Sequence, residues 1–284
     1  MRKFVASLIT VVLIFSVFAC GDGSIPSESS SGASTDIPSA PVAPSGGEQT
    51  GEPAPSVTID SYNSSKIQAD WFVEHRLEYW PDVDPADIAH LDLAITTSPD
   101  PYRRSLGNVE TFKKHFPEVT QFFEVDMVNA PNMMADGAYD MTAPVMTTNP
   151  QVKYWYVHCS LMFFAQGVAR VAEAYDMEDR VLITTSGLDI LKTEWETGYD
   201  GCWVAAEHLS NFETCAPATL GLVALCDGRA TQESLWRERA IPGDPFGSEY
   251  GIWYVESKVV SKEDYEAYSQ SILDKYGITG VDFS

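Results

Sequence analysis

The sequence predicts an α+β domain, predominantly helical and arranged around one buried central helix at about residues 149–175, with a small sheet and two disulfides. Three observations carry this expectation. Asn149 followed by Pro150 reads as a helix cap and first helical position, and the stretch that follows is apolar on nearly every side through Tyr154, Trp155, Tyr156, Leu161, Met162, Phe163 and Phe164. Candidate helices outnumber candidate strands along the chain. Cys159, Cys202, Cys215 and Cys226 stand within one span, an even set suited to pairing in an oxidising compartment.

In order, Asp84-Pro85-Ala86-Asp87 reads as a helix start with Asp84 as cap, and Leu91 to Thr97 alternates as a strand. Asp82, Asp84 and Asp87 also have the oxygen chemistry of a calcium site, but the turn glycine of a calcium loop is missing and no metal is expected. Asn108 to Phe116 is helical, Thr120 to Val128 a strand, and Asn129 to Thr148, with its Met and Pro residues, a loop or lid. After the central helix, Arg180 to Thr185 is extended. Ser186 with Asp189 starts a helix ending at Gly198, and Trp203 to Thr214 and Pro217 to Leu225 form a helical hairpin. Thr231 to Arg239 is helical, Ile252 to Val260 a strand, and Ser261 to Tyr276 a closing helix stopped by Gly277. His158 reads as a hydrogen-bonded core histidine, since no second histidine stands at a metal-binding spacing.

Residues 1–19 have the composition of an export signal: Arg2 and Lys3, an apolar run from Phe4 to Ala19, then Cys20 and Gly21. Val17-Phe18-Ala19-Cys20 resembles the lipobox of bacterial lipoproteins. That resemblance implies a lipidated Cys20 and a protein held on a membrane, facing the periplasm or the cell exterior. Giving Cys20 to a lipid also leaves an even four of the five cysteines. Residues 20–56 would then form a disordered Ser/Pro/Gly tether, since Gly21 to Ser56 has no aromatic residue and no Lys or Arg. The globular domain is expected at 57–284.

Helix geometry constrains the pairing of the four cysteines. A helix from Trp203 to Thr214 would hold Cys202 and Cys215 about 18 Å apart, and bridged Cα atoms must approach within about 7 Å. A helix from Pro217 to Leu225 disfavours Cys215 with Cys226 in the same way, so the expected bridges are Cys202 with Cys226 and Cys159 with Cys215.

The formal net charge of −23 argues against nucleic acid, whose binding is dominated by phosphate neutralisation. No HExxH, GxSxG, phosphate-cradling glycine loop or dinucleotide fingerprint occurs, and no cofactor is expected. A thiol nucleophile at Cys202 would need a histidine base, and none follows His208.

Carboxylates remain. The run from Phe164 to Gly198, with Val171-Ala172-Glu173-Ala174-Tyr175-Asp176-Met177 and then Glu196-Thr197-Gly198-Tyr199, resembles lysozyme-like peptidoglycan hydrolases of the glucosaminidase type. The resemblance implies that Glu196 is the catalytic acid. The residues around it suit the chemistry independently: a general acid needs apolar surroundings to raise its pKa, and Trp195, Tyr199 and Trp203 would supply them while stacking on sugar rings. Glu194, Asp200 or Glu207 would provide a second carboxylate. The expectation is thus a lipid-anchored hydrolase of cell-wall glycan or another polysaccharide. The alternative is a non-catalytic surface lipoprotein that binds a ligand or a partner, which needs no catalytic motif.

Overall fold

The computed structural model describes residues 54–240 and 250–277. The leader with Cys20, and nearly all of the Ser/Pro/Gly segment, lie outside the described residues. Six strands form one mixed sheet: β2 (Ile88–Ala94), β3 (Phe122–Asp126), β4 (Tyr154–Cys159), β5 (Val181–Ser186), β6 (Trp203–His208) and β8 (Lys258–Ser261). Their order is β3-β2-β4-β5-β6-β8, all parallel except β8, which pairs antiparallel with β6. Two further strands, β1 (Ser56–Ile59) and β7 (Ile252–Val255), pair parallel with each other in a separate two-stranded ribbon.

Helices cover both faces of the large sheet. On one face lie α1 (Ser61–Tyr79) and α2 (Pro99–His115), packed on each other through Phe72 and Phe112 and onto Ile88, Tyr156 and Leu182. On the other lie α3 (Ala135–Thr147), α4 (Met162–Ala174), α5 (Asp189–Glu196) and, at the margin, α7 (Tyr265–Tyr276). A parallel sheet covered on both sides has no solvent face, so its strands read as continuous apolar runs. β2 is buried along its whole length, with Ala89, Leu91 and Leu93 on the α4 face and Ile88 on the α1 face. The last helix, α6 (Asn211–Cys226), packs on the β1–β7 ribbon. The chain passes between the large sheet with its helices and the ribbon with α6 three times, at Asp60, at Leu209-Ser210 and at Glu256-Ser257.

The register of β6 against β5 slips once. Ile183 faces Trp203, while Thr184 faces Ala205, so Val204 is a bulge. An extra residue inverts the side-chain alternation beyond it. Trp203 therefore belongs to the core on the α4 face, whereas Ala205 packs on the α1 face, and Glu207, two residues on, is sent to the α1 side as well.

The fold differs from the helical α+β domain expected, and the reason is local. No buried helix spans 149–175: Tyr154–Cys159 is the central strand β4, and helix begins only at Met162. A short all-apolar run is consistent with a buried parallel strand or a buried helix, and periodicity does not separate them. Trp203 to His208 was open to the same ambiguity and is also a strand. Of residues 129–148, expected as a loop or lid, 130–134 are irregular and Ala135–Thr147 form the helix α3.

The two expected disulfides are absent as well, and all four described cysteines are free. Cys159 and Cys202 are buried in the core on the α4 face, with β5 between their strands, while Cys215 and Cys226 are exposed on α6. A buried thiol and an exposed one on a different element cannot reach the 7 Å or so that a bridge requires. Of the aspartates considered for calcium, Asp84 accepts a hydrogen bond from the Ala86 N–H and Asp87 pairs with Lys153 at 2.8 Å. No helix among the described residues is long and apolar enough to cross a membrane.

Candidate functional site

Two concavities flank the sheet, one at each end of its strands. At the carboxyl ends of β4, β5 and β6 lies a cleft of about 240 Å³. In open α/β sheets the crevice beyond the carboxyl ends of the strands is where ligands bind. Leu161, Met162 and Phe163 contribute one apolar wall and Leu188 and Leu209 another, with Ser186, Glu207 and His208 at the base and Arg104 of α2 at the side. Ile59, Leu209 and Asn211, at or beside two of the three chain crossings, close it toward the ribbon.

Its polar groups are mostly spoken for, with two exceptions. Arg104 donates from Nη1 to the Ser160 carbonyl at 2.9 Å, but its buried Nε has no partner. Glu207, only 4% exposed, hydrogen-bonds Ser186 and Ser257, yet its Oε1 is buried and unpartnered. Burial pushes the Glu207 carboxyl above the ordinary carboxylate range, against the opposing pull of Ser257, Arg104 and Ser186. His208 is held below the usual imidazole value by burial and is neutral near pH 7. α4 and α5 both begin at the cleft, behind Leu161 and Leu188, and neither has a side-chain cap. Their first-turn N–H groups are donors without intrahelical partners. Two helices thus start at the cleft, with Phe164 N–H already donating to the Leu161 carbonyl at 3.1 Å, and one unpartnered donor and one unpartnered acceptor lie buried beneath its apolar walls.

Behind Glu207 a buried polar layer runs under α1. Gln68 donates to Ser186 Oγ at 3.0 Å, and Ser65 Oγ lies 3.3 Å from His158 Nε2. His158 Nδ1 in turn lies 2.6 Å from Asp92 Oδ1. Ser65, His158 and Asp92 have the connectivity of a hydrolytic triad, but all three are 0 to 1% exposed, so no substrate reaches the hydroxyl and the arrangement serves as structure. His158 is the hydrogen-bonded core histidine expected, with its carboxylate partner supplied by the neighbouring strand β2.

The second concavity, about 450 Å³, lies at the amino ends of β5 and β6 and is lined by Tyr79, Trp80, Trp195, Tyr199, Asp200 and Trp203 among others. The structure therefore brings Trp195, Tyr199, Trp203 and Asp200 together, but leaves the carboxylates dispersed. Glu196 is 53% exposed at its side chain, pairs with Lys192, and borders an adjoining hollow with Glu263 and Glu266. Glu194 is bound to Arg170 at 2.8 Å, and Asp200 is 90% exposed beside Lys262. Glu207 sits at the opposite end of β6 from Trp203, about 13 Å along the strand, and on the other face of the sheet.

No family model matches the chain, and no curated protein matches it. Solved structures do. An ABC transporter periplasmic solute binding protein from Actinobacillus succinogenes 130z with bound D-allose superposes with TM-score 0.53 at 15% identity, over 74% of this chain and 63% of that one. The chain has the α/β fold of periplasmic binding proteins. GanP, a glucose-galactose binding protein from Geobacillus stearothermophilus, gives 0.55 at 15% identity over 77% and 66%. The periplasmic binding protein of the arabinose ABC transporter from Shewanella sp. ANA-3, bound to L-arabinofuranose, gives 0.54 at 10% over 79% and 64%. The chain spans just under two thirds of the length of these neighbours.

This fold overturns the lysozyme-like reading of residues 164–199 and, with it, the glycan hydrolase. The two helices of that resemblance, α4 and α5, flank the buried strand β5, read from the sequence as an extended segment, and belong to successive β-α units. Glu196 itself has an ammonium partner and open solvent in place of the apolar pocket a general acid needs.

Proposed function

We propose that the chain is a non-catalytic solute-binding protein, working outside the cytoplasm, that holds a small polyhydroxylated ligand of the sugar class in the cleft at the carboxyl ends of β4, β5 and β6. The observation that carries the proposal is the pair of unsatisfied buried groups lining that cleft, Arg104 Nε and Glu207 Oε1. Buried polar groups without partners are costly and uncommon in native proteins. Both atoms are buried as the cleft stands, so a ligand hydroxyl, which both donates and accepts, meets them where Arg104 and Glu207 turn toward it, while Phe163 and the leucines offer apolar surface to a ring. D-allose, arabinofuranose and glucose-galactose binding in proteins of this fold supports the ligand class. The same proposal includes attachment to the membrane through Cys20, with residues 20–56 as the tether, and delivery of the ligand to a transporter.

Titration calorimetry of the full chain with D-allose, D-galactose and L-arabinose tests the proposal. At least one sugar should bind, and Arg104→Ala and Glu207→Gln should each weaken it roughly 10- to 100-fold, the worth of a hydrogen bond to a charged group. Absence of heat with every sugar, from folded protein, would remove the sugar assignment. Undiminished binding in both variants would place the site elsewhere.

A further inference from the structure

α6 carries a surface that the cleft does not use. Phe212, Cys215, Thr219, Leu222 and Cys226 are all exposed, with Phe212 at 46% and Leu222 at 63%. Their spacing is three, four, three and four residues, the repeat that lines side chains into the narrow seam by which two helices pair. The opposite side of the helix is anchored: Pro217 and Gly221 are buried, and a Cβ at Gly221 would come within 2.7 Å of the Trp236 ring. From Cys215 to Cys226 the seam therefore faces outward, while the Phe212 ring stacks on Tyr276 of α7 with centroids 5.9 Å apart.

Charge indicates what covers it. The chain carries a formal net charge of −23, and two copies repel over most of their surfaces. The one charged residue of α6 is Glu213 in its first turn, paired with Lys275 at 2.7 Å, and from Thr214 to Cys226 it has no Asp, Glu, Lys or Arg. An uncharged face is where like copies can approach. The pattern is also self-complementary. Turned end for end, Cys215 meets Cys226 and Thr219 meets Leu222, so a two-fold axis near residues 220–221 superposes the stretch from Cys215 to Cys226 on itself and leaves Phe212 outside it.

We propose that α6 pairs antiparallel with α6 of a second copy of this chain, along Cys215, Thr219, Leu222 and Cys226. One pair of 16-residue helices lies at the small end of the interface scale, below the roughly 1,200 to 2,000 Å² of standard stable complexes. The dimer accordingly exchanges with monomer and forms as concentration rises. The inference is independent of what the cleft binds.

The two exposed thiols report the geometry. Within one chain, eleven residues of helix hold Cys215 and Cys226 about 16 Å apart, beyond a short bismaleimide. The experiment mixes ¹⁴N- and ¹⁵N-labelled full chain, treats it with that reagent, and reads linked peptides by mass, alongside sedimentation velocity over a concentration series. The expected result is a Cys215–Cys226 link joining light to heavy peptides, with a mass that doubles at high concentration. Leu222→Lys should abolish both without changing the thermal melt, since its side chain is mostly exposed in the monomer. Links of Cys215 to Cys215 would overturn the antiparallel register. Thiols that resist a monofunctional maleimide in a monomeric sample would show that another segment of the same chain covers the seam. Persistence of the Cys215–Cys226 link in Leu222→Lys would show that it arises from collision.

Discussion

Glu207 is a single buried side chain held at the expense of stability. Its Oε1 is buried without a partner, and burial raises its pKa in the folded chain. A carboxyl with a raised folded pKa binds its proton more tightly when folded, so it imposes no penalty at a pH low enough for both states to be protonated. The penalty grows as pH rises past the ordinary glutamate value of about 4.3 and is complete above the folded pKa. Glu207→Gln should therefore raise the melting temperature at pH 7.5, by the equivalent of about 1 to 3 kcal/mol for a buried unsatisfied group, and the gain should vanish near pH 4. A gain that persists unchanged at pH 4 would mean that charge is not its source. His158 and Asp92 form a buried pair at 2.6 Å under the same helix, although Asp92 Oδ2 too is without a partner. Removing one member strands the other, so His158→Ala or Asp92→Ala should each cost about 1 to 3 kcal/mol in denaturant unfolding. A loss below about 1 kcal/mol would show that the pair contributes little to the fold.

At the scale of elements, close helix contact is set by small residues. A Cβ at Gly107 of α2 would stand 2.1 Å from the Tyr62 carbonyl oxygen of α1, a backbone atom that cannot rotate aside. Gly107→Ala should separate the two helices and cost about 1 to 3 kcal/mol, despite the better helix propensity of alanine, and an unchanged unfolding midpoint would contradict this packing. The same scale explains what the sequence discloses. β5 was readable as an extended segment and the α7 stop at Gly277 as a cap, since φ of +66° there suits glycine. β4 and the start of β6 were not readable, because strands buried on both faces lose the alternation that identifies them. A signal for the site was nevertheless present. Each strand turns polar on one face toward its carboxyl end, in His90-x-Asp92, Tyr156-x-His158, Thr184-x-Ser186 and Ala205-x-Glu207. Read as adjacent parallel strands, those four pairs mark one polar layer leading to the cleft. Read as helices, they scatter. The bulge at Val204 had no such signal, and it separates Trp203 from Glu207, which the sequence alone placed in one site.

For the whole molecule the dominant fact is charge, with Asp and Glu at 41 against Lys and Arg at 18. Self-repulsion of that size destabilises the compact state, and salt screens it over a Debye length of about 10 Å at 0.1 M. Raising sodium chloride from about 10 mM to about 300 mM should thus stabilise the chain on the order of 1 kcal/mol, lifting the melting temperature by about 2 to 4 °C for a domain of this size. The same salt series examines the cleft. Arg104, Asp189 and Glu207 all line it, but a neutral polyhydroxylated ligand carries no net charge for the surrounding field to act on. Its affinity should stay within about twofold across the series, whereas a cationic ligand drawn by the surrounding carboxylates would weaken steadily as they are screened. A sugar whose binding falls tenfold between those salt concentrations would therefore owe its affinity to ionic contacts rather than to the two unsatisfied groups in the cleft.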